Sequence, residues 1–263
     1  MSTLVGVPVK NAVIWIDRFL ENFGQLKGIS RAVFYYGPSQ DPTLQQIKDW
    51  AKDAPFTVEI YQDPPMRALS SAQIAPVYKE LQEVMLEGDE THFLSLDADI
   101  MKMPKNLIGL LKKQKKDIIA PYVWIEGQKP KTFYDTDVFR YKGMRFHPFD
   151  PPTSKVSFEV DSVGTCWLAT REAFTETEIK NPYPDRVFCD NARDRDLKVW
   201  VDPRLSVYHL NAKPFGLHQI PLEALLKRPP DNTPYIKSGS IAVDVTSMPN
   251  EYIKAFVWGR VSK

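Results

Sequence analysis

Two hydrophobic patterns alternate along the first half of the chain. Apolar runs of strand length occupy residues 4–9, 31–36, 56–61, 93–96 and 117–123. Between them, apolar residues recur every three or four positions, as on one face of a helix. Four such stretches occur: one over 11–24, a second that begins at 42, a third that ends near 87, and a fourth over 104–115. The third of these helices is predicted to begin between 70 and 76, because Ser70 and Gln73 match a capping box whereas Pro76 favours a later start. This alternation predicts an α/β fold in which helices flank a mostly parallel central sheet.

The pattern is less regular in the second half. It predicts strands at 158–163, 166–169, 199–201 and 205–209, and helices at 171–174 and 190–198. The segment 125–155 mixes aromatic residues, charges and prolines, and predicts a long loop with a hairpin around Tyr141-Lys142-Gly143. Regularity is lost near residue 212. We therefore expect a main domain over 1–212 and a small C-terminal appendage, 213–263, that packs on it.

Composition narrows the choice of function. A formal net charge of +1 argues against a strong sequence-independent grip on nucleic acid or membrane. The first residues lack the charged and apolar regions of a signal peptide, and no apolar stretch is long enough for a membrane span. The two cysteines, Cys166 and Cys189, do not form a disulfide framework and favour a reducing compartment. The sequence thus predicts a cytoplasmic location.

The most informative chemistry follows the strand at 93–96. This apolar run ends in Asp97-Ala98-Asp99. In an extended chain, residues two apart point to the same side, so both carboxylates would face one hard cation. Ligands of open parallel sheets bind beyond the carboxyl ends of the strands, which favours a binding site here. The alternative is that both aspartates belong to a turn that closes the strand.

Several motifs then follow in an informative order. A first strand carries Pro8 and Asn11 behind it, and Asp97-Ala98-Asp99 precedes Pro104. Later come Val160-Asp161-Ser162-Val163-Gly164, Asp190-Asn191, and Val207-Tyr208-His209-Leu210-Asn211. Over about residues 3–211 the chain resembles the nucleotide-sugar glycosyltransferases of the GT-A, Rossmann-like fold. The order looks closest to the Anp1/Mnn9-type group and to small viral or bacterial relatives, although a Golgi-type membrane anchor is missing.

The resemblance implies a metal site for Mn²⁺ or Mg²⁺. Asp99 would be the direct ligand, Asp97 would contact the ribose or metal-bound water, and His209 would close the metal site. The metal would neutralise the charge that develops on the departing nucleoside diphosphate. Imidazole is a suitable ligand, particularly for Mn²⁺. The alternative for His209 is a partly buried histidine at a strand end.

The resemblance also implies catalytic carboxylates. Asp190 matches the position of the base that deprotonates the acceptor hydroxyl in inverting relatives, and it is equally suited to cap a helix over 191–198. The nearest relatives suggest a retaining reaction, which would make Asp190 less suited as a base. Asp161 is the second candidate, as a ligand of sugar hydroxyls or as a turn residue.

A donor nucleotide sugar is the expected small-molecule partner. The resemblance places its base and ribose beside Pro8, Val9 and Asn11. Arg67 could reach the diphosphate, with a surface loop arginine as the alternative. Trp124 could stack on a sugar or belong to the aromatic core.

The sequence leaves the acceptor and two other function classes open. The acceptor hydroxyl would belong to a glycan or, as in phage-type enzymes, to a modified DNA base; a viral enzyme would act in the host cytoplasm. A nucleotidyltransferase also places paired aspartates on an α/β sheet, but the glycines of its phosphate loop are missing from Pro8-Val9-Lys10-Asn11. A non-catalytic nucleotide-sugar-binding module would not need Asp190 or His209. The oligomeric state is not encoded in any pattern.

Overall fold

The structure, a computed structural model, describes residues 2–37, 41–62, 74–127, 133–134, 140–141, 144–145, 151 and 154–210. The strands are β1 (Thr3–Val9), β2 (Arg31–Tyr36), β3 (Thr57–Gln62), β4 (His92–Leu96), β5 (Ile100–Lys102), β6 (Ile118–Ile125), β7 (Arg140–Tyr141), β8 (Met144–Arg145), β9 (Phe158–Glu159), β10 (Cys166–Thr170) and β11 (Val199–His209). The helices are α1 (Ile16–Phe23), α2 (Thr43–Ala51), α3 (Ala75–Glu87), α4 (Leu107–Lys112), α5 (Arg171–Glu176) and α6 (Pro184–Asp194). The sequence therefore predicted the α/β class correctly.

Within the described residues the central sheet has nine strands: eight in the order β3-β2-β1-β4-β10-β6-β11-β5, and β9, which pairs with β11. β3, β2, β1 and β4 run parallel, and β6 and β11 are parallel to each other. β10 runs antiparallel between β4 and β6, at the centre of the sheet. The parallel strands β1 and β4 end at the same edge of the sheet, where the candidate site lies.

Helices cover both faces of this sheet and bury two apolar clusters. On one face, α1, α2 and α4 pack Phe19, Ile47 and Leu111 against the sheet. On the other, α3, α5 and α6 contribute Tyr78, Phe174 and Phe188. Because consecutive strand residues point to opposite faces, a continuous apolar strand such as β6 supplies both clusters. This three-layer arrangement places α3 and α6 together on one face, beside the end of β4.

Three element boundaries differ from the sequence prediction. α1 begins at Ile16 rather than at Asn11, which has a left-handed backbone (φ 50°). α6 begins at Pro184, so Asp190 lies inside the helix rather than at its start. The last two predicted strands form one strand, β11, whose pairing with β6 shifts between Asp202 and Ser206. This irregularity accommodates the proline that interrupts the apolar pattern at 203.

Other features agree with the prediction. α3 starts late, with Pro76 in its first turn, and β7 and β8 pair as the expected hairpin. None of the helices in the described ranges is long and apolar enough to cross a bilayer. The predicted appendage, 213–263, lies outside the described residues, and its packing stays a prediction.

Candidate active site

The two aspartates that follow β4 lie in a tight turn. Phe93, Leu94 and Leu96 in β4 are fully buried, and the chain reverses at 97–99, where the Ile100 amide donates to the Asp97 carbonyl at 3.1 Å. The turn leads directly into β5. Residues 97–99 therefore form a turn rather than the extended chain that the sequence argument assumed, and a turn at this place is compatible with a cation site. The turn still lies at the carboxyl end of a core strand.

Asp99 pairs with His209, although the two residues lie far apart in sequence. The Asp99 Oδ2 to His209 Nε2 distance is 2.9 Å. β11 pairs with β5 in a register that places His209 opposite Ile100, and the Leu210 amide donates to the Asp99 carbonyl at 2.8 Å. The strand pairing thus brings the predicted metal-ligating histidine to the predicted metal-ligating aspartate.

The environment of His209 fixes the orientation of its ring. The imidazole is almost fully buried, stacks on Tyr134 at 3.9 Å between ring centroids, and has Nδ1 2.9 Å from the Leu210 carbonyl. A carbonyl only accepts hydrogen bonds, so Nδ1 carries a proton and Nε2 faces the carboxylate. Burial lowers the pKa of His209, but the hydrogen bond and charge of Asp99 and the Leu210 carbonyl outweigh it and raise the pKa above its ordinary value.

A divalent cation fits this pair. The other carboxylate oxygen, Asp99 Oδ1, is buried and accepts no hydrogen bond in the described part of the chain. A buried acceptor left in this way costs about 1–3 kcal/mol. A carboxylate oxygen beside a tautomer-fixed imidazole nitrogen is a donor set that can hold a divalent cation.

Asp97 faces a different neighbourhood. Its amide donates to the Thr165 carbonyl at 2.9 Å. Burial raises the pKa of the Cys166 thiol, and the nearby charge of Asp97 raises it further. The pKa of Tyr78 is raised by burial first, then by the charge of Asp185, and then by that of Asp97. Within the described ranges, no three histidine, cysteine, aspartate or glutamate side chains group as a metal-holding cluster. The predicted ligands Asp97, Asp99 and His209 therefore stand in the structure as one pair and one neighbouring carboxylate.

Three of the predicted donor-binding residues, Pro8, Val9 and Asn11, lie at or just after the carboxyl end of β1. β1 runs beside β4, with Gly6 opposite Ser95, so the residues that follow Val9 and Leu96 lie at the same edge. Val9 is buried in the core, Pro8 is half-buried and Asn11 is exposed. The Val9 carbonyl accepts the Gly37 amide at 2.9 Å, and contact of Val9 with a donor stays a prediction. The predicted Arg67 lies outside the described residues.

Trp124 belongs to an aromatic group on β6. Its ring packs edge-on against Tyr122 and Phe133, and its Nε1 donates to Ser206 Oγ at 3.1 Å. The side chain is half-buried. The structure thus favours the aromatic-core interpretation for part of this ring, and stacking on a ligand stays a prediction.

Asp161 and Asp190, the two predicted catalytic carboxylates, are joined by one arginine. Arg193 Nη1 lies 2.5 Å from Asp161 Oδ1, and Arg193 Nη2 lies 3.3 Å from Asp190 Oδ1. Arg186 Nε lies 3.9 Å from Asp190 Oδ2. Asp161 and Asp190 thus belong to one group of charged side chains, held together by the guanidinium of Arg193.

Sequence reasoning missed Asp185, which lies in the first turn of α6. Its Oδ1 accepts hydrogen bonds from Tyr78 Oη at 3.0 Å and from Trp167 Nε1 at 2.8 Å. The charges of Asp185 and Asp97 both raise the pKa of Tyr78, after burial, so this carboxylate lies near the turn after β4. The signal in the sequence was Pro184-Asp185, since proline and an acid are typical of a first helical turn.

Comparison with known proteins identifies the fold. No protein-family model and no curated protein matches the chain, but solved structures do. TarS of S. aureus is 14% identical with a TM-score of 0.55, over 86% of this chain and 38% of that one. GalNAc-T7, solved with UDP, GalNAc and Mn²⁺, is 12% identical with a TM-score of 0.57, over 80% and 44%.

A third match is the mannosyltransferase PcManGT from Pyrobaculum calidifontis, solved with GDP-Man and Mn²⁺. It is 13% identical with a TM-score of 0.51, over 81% of this chain and 57% of that one. The chain spans less than two-thirds of each of these three structures. At such identities the likeness shows the fold: the chain has the GT-A, Rossmann-like fold of these glycosyltransferases.

Proposed function

We propose that this protein is a metal-dependent glycosyltransferase that moves a sugar from a nucleoside-diphosphate sugar to an acceptor hydroxyl. The observation that carries the proposal is the pairing of half-buried Asp99 with buried His209 at the carboxyl end of β4, in a GT-A fold. Two solved structures of the same fold hold Mn²⁺ together with UDP or GDP-mannose, which supports this donor class.

In the proposed site, Asp99 and His209 hold the cation, Mn²⁺ or Mg²⁺, and Asp97 contributes from the same turn. A divalent cation bound there would neutralise the charge that develops on the departing nucleoside diphosphate. The Nδ1 bond to the Leu210 carbonyl keeps Nε2 of His209 aimed at Asp99. The buried Oδ1 of Asp99 supplies the further oxygen ligand.

The donor nucleotide lies, in this proposal, along the ends of β1 and β4. Asn11 is exposed and contacts the base or ribose, and Pro8 and Val9 line the same edge of the sheet. Arg67 and Trp124 stay candidates for the diphosphate and the donor sugar.

On the acceptor side we move the role of general base from Asp190 to Asp185. The resemblance implies a carboxylate that heads a helix, and the helix in question begins at Pro184. Asp190 is engaged by Arg193 and Arg186 instead. In the proposal, Asp161 and Asp190 bind acceptor hydroxyls and Asp185 removes the proton. This arrangement supports inversion at the anomeric carbon rather than the retention that Anp1/Mnn9-type relatives suggest.

The acceptor in this proposal is a glycan. Asp161 and Asp190 pair with Arg193, and Arg186 lies beside Asp190. With Asp185 on the same helix as Asp190, three carboxylates stand against two arginines on this side, a balance that repels phosphate more than it repels neutral sugar. A modified nucleic-acid base is the second acceptor to include in a screen.

The experiment that tests the proposal is a turnover screen of UDP-, GDP- and dTDP-sugars with and without Mn²⁺. It is run on the wild type and on Asp99→Asn, with water or added glycans as acceptor. We expect metal-dependent release of a nucleoside diphosphate by the wild type and little release by the variant. Equal turnover by both proteins, or release of pyrophosphate as a nucleotidyltransferase would give, refutes the proposal. The anomer of the product, read by NMR, decides between inversion and retention.

A further inference from the structure

A chain of hydrogen bonds through two buried hydroxyl groups links β4 to Asp185. Ser95 on β4 is fully buried, and its Oγ lies 3.0 Å from Tyr78 Oη. Tyr78 is almost fully buried, and its Oη donates to Asp185 Oδ1 at 3.0 Å. A tyrosine hydroxyl has a single proton, so the Ser95 hydroxyl must donate to Tyr78. The chain therefore runs from Ser95 through Tyr78 to Asp185.

Trp167 closes this arrangement from the neighbouring strand. It lies opposite Ser95 in the pairing of β10 with β4, and its Nε1 donates to the same Asp185 oxygen at 2.8 Å. Trp167 also stacks on Phe188 of α6, at 4.8 Å between ring centroids. Asp185 Oδ1 thus receives one donor from α3 and one from β10, and both donors are anchored in the core.

Two donors on one oxygen have two consequences for a carboxylate. They stabilise its charged form against the surrounding aromatic rings, because hydrogen bonds to a charged form favour that form. They also occupy both lone pairs of Oδ1 and fix the plane of the group. Asp185 is half-exposed, so an acceptor can reach the group from the solvent side.

We propose that Tyr78 is a positioning residue, supported by Trp167, that holds Asp185 ionised and aims its Oδ2 at the acceptor hydroxyl. This inference rests on the proposed function. In the step, the acceptor hydroxyl loses its proton to Oδ2 while its oxygen bonds to the anomeric carbon. The bond from that carbon to the diphosphate oxygen breaks, and its electron pair leaves with the nucleoside diphosphate.

The Ser95-Tyr78 part of the chain gives this role a second consequence. Ser95 lies two residues before Asp97, in the strand that leads to the metal-binding turn. The hydrogen bonds from Ser95 through Tyr78 therefore fix the position of the Asp185 carboxylate relative to the donor side of the site. This matters because reaction geometry is sensitive to displacements of about 1 Å. The structure thus connects the two halves of the site through buried side chains.

The test compares Tyr78→Phe with Tyr61→Phe. Tyr78→Phe keeps the ring, which lies 6.1 Å from Trp167, and removes only the hydroxyl. Tyr61→Phe is the matched control, because Tyr61 Oη donates to a carboxylate, Glu59 Oε2, at 3.1 Å on the edge strand β3. Thermal unfolding shows whether each variant folds, and calorimetry with UDP or GDP and Mn²⁺ shows whether the donor side is intact.

For Tyr78→Phe we expect kcat for nucleotide-sugar turnover to fall about tenfold, as for the loss of one hydrogen bond to a charged group. KM for the donor should change less than about twofold. The acid limb of kcat/KM against pH should move up by about one unit, because the lost bond was made to the charged form. Tyr61→Phe should match the wild type in all three measurements.

Other titratable and charged groups face this region, so the pH profile needs a reference. They are Tyr78 on α3, Asp97 after β4, Cys166 on β10, and Cys189, Asp190 and Arg193 on α6. The reference is the Asp185→Asn background. If Tyr78 acts through Asp185, Tyr78→Phe should change kcat and the acid limb little in that background.

Each outcome decides the inference. An unchanged kcat and acid limb in Tyr78→Phe, in an enzyme with normal turnover, overturns the role of Tyr78 and leaves the proposed function standing. An equal loss in the wild-type and Asp185→Asn backgrounds overturns it in the same way. A wild type that turns over no nucleotide sugar refutes the proposed function, and the inference with it.

Discussion

The assignment of the base to Asp185 rather than Asp190 predicts different results for two asparagine variants. In Asp185→Asn, the amide oxygen can keep both hydrogen bonds that Oδ1 now receives from Tyr78 and Trp167. The fold around α6 should therefore survive, and the change is confined to the loss of a proton acceptor. Asp190→Asn instead weakens an ion pair with Arg193 at 3.3 Å on a half-buried part of the helix, while its amide oxygen can still accept a hydrogen bond from an acceptor hydroxyl.

The magnitudes of the two effects are far apart. A positioned general base contributes about 10²–10⁴ in rate, or about 2.7–5.4 kcal/mol in the barrier. A partly exposed ion pair contributes about 0.2–1 kcal/mol, and its loss should slow the reaction by less than about fivefold. Asp185→Asn should therefore be at least about twentyfold slower than Asp190→Asn.

The assay is metal-dependent turnover of the preferred nucleotide sugar at saturating donor and acceptor, so that the binding of neither substrate enters kcat. Binding of UDP or GDP with Mn²⁺, measured in the same samples, controls for damage to the donor side. A larger loss of kcat in Asp190→Asn than in Asp185→Asn would refute the reasoning. It would return the role of base to the residue that the sequence suggested.

Two further predictions concern stability. In the metal-free protein, the pKa of His209 is raised above its ordinary value of 6.5. The contribution of protonated His209 to the free energy of unfolding is therefore complete below about pH 6.5 and is lost as the pH rises through the pKa of the folded protein. Burial, with the charge of Lys112, lowers the pKa of His92 to about 4, so stability also falls as the pH drops from about 6.5 towards 4. The denaturant concentration at the unfolding midpoint, plotted against pH, should therefore peak between the acid and the alkaline losses. His209→Gln should remove the alkaline loss, and His92→Gln should remove the acid loss. Profiles that both substitutions leave unchanged would contradict this. Gly6→Ala should cost about 1–3 kcal/mol, because its Cβ would lie 2.7 Å from Phe93 Cζ; Gly109→Ala in α4, with no atom within 4 Å, should be neutral or stabilising, and equal unfolding free energies for the two variants would refute the packing argument.

The sequence predicted those parts of the fold that depend on local patterns. Apolar runs and helical periodicity are local, and they gave the α/β class, the strand that ends at Leu96 and the hairpin near residue 142. The position of β10 depends on long-range pairing instead. Strand–helix alternation indicates parallel neighbours, and nothing within residues 166–170 shows that this strand inserts antiparallel between β4 and β6.

For the candidate site, the sequence likewise predicted the residues that have a local signal and missed the one that depends on distant contacts. Asp99 follows one recognisable strand and His209 ends another. Their encounter could therefore be expected from the resemblance, and the two side chains lie 2.9 Å apart. Asp185 was missed because the hydrophobic pattern of α6 is weak at its start, where Tyr183 is exposed and Pro184 precedes the acid. The importance of Asp185 depends on Tyr78 and Trp167, which reach it from distant parts of the chain.

The most direct test of a metal site for a diphosphate is the equilibrium binding of UDP and GDP, measured by calorimetry with Mn²⁺ and with EDTA. We expect the wild type to bind at least one of the two nucleotides about tenfold or more tightly with Mn²⁺ than with EDTA, because the bound cation would attract the diphosphate. Asp99→Asn should abolish that difference. Glu126→Gln should keep it, because Glu126 lies at the same edge of the sheet but pairs with Arg18 and Lys102. Binding that is independent of Mn²⁺ in the wild type, or equally metal-dependent in Asp99→Asn, would contradict the account.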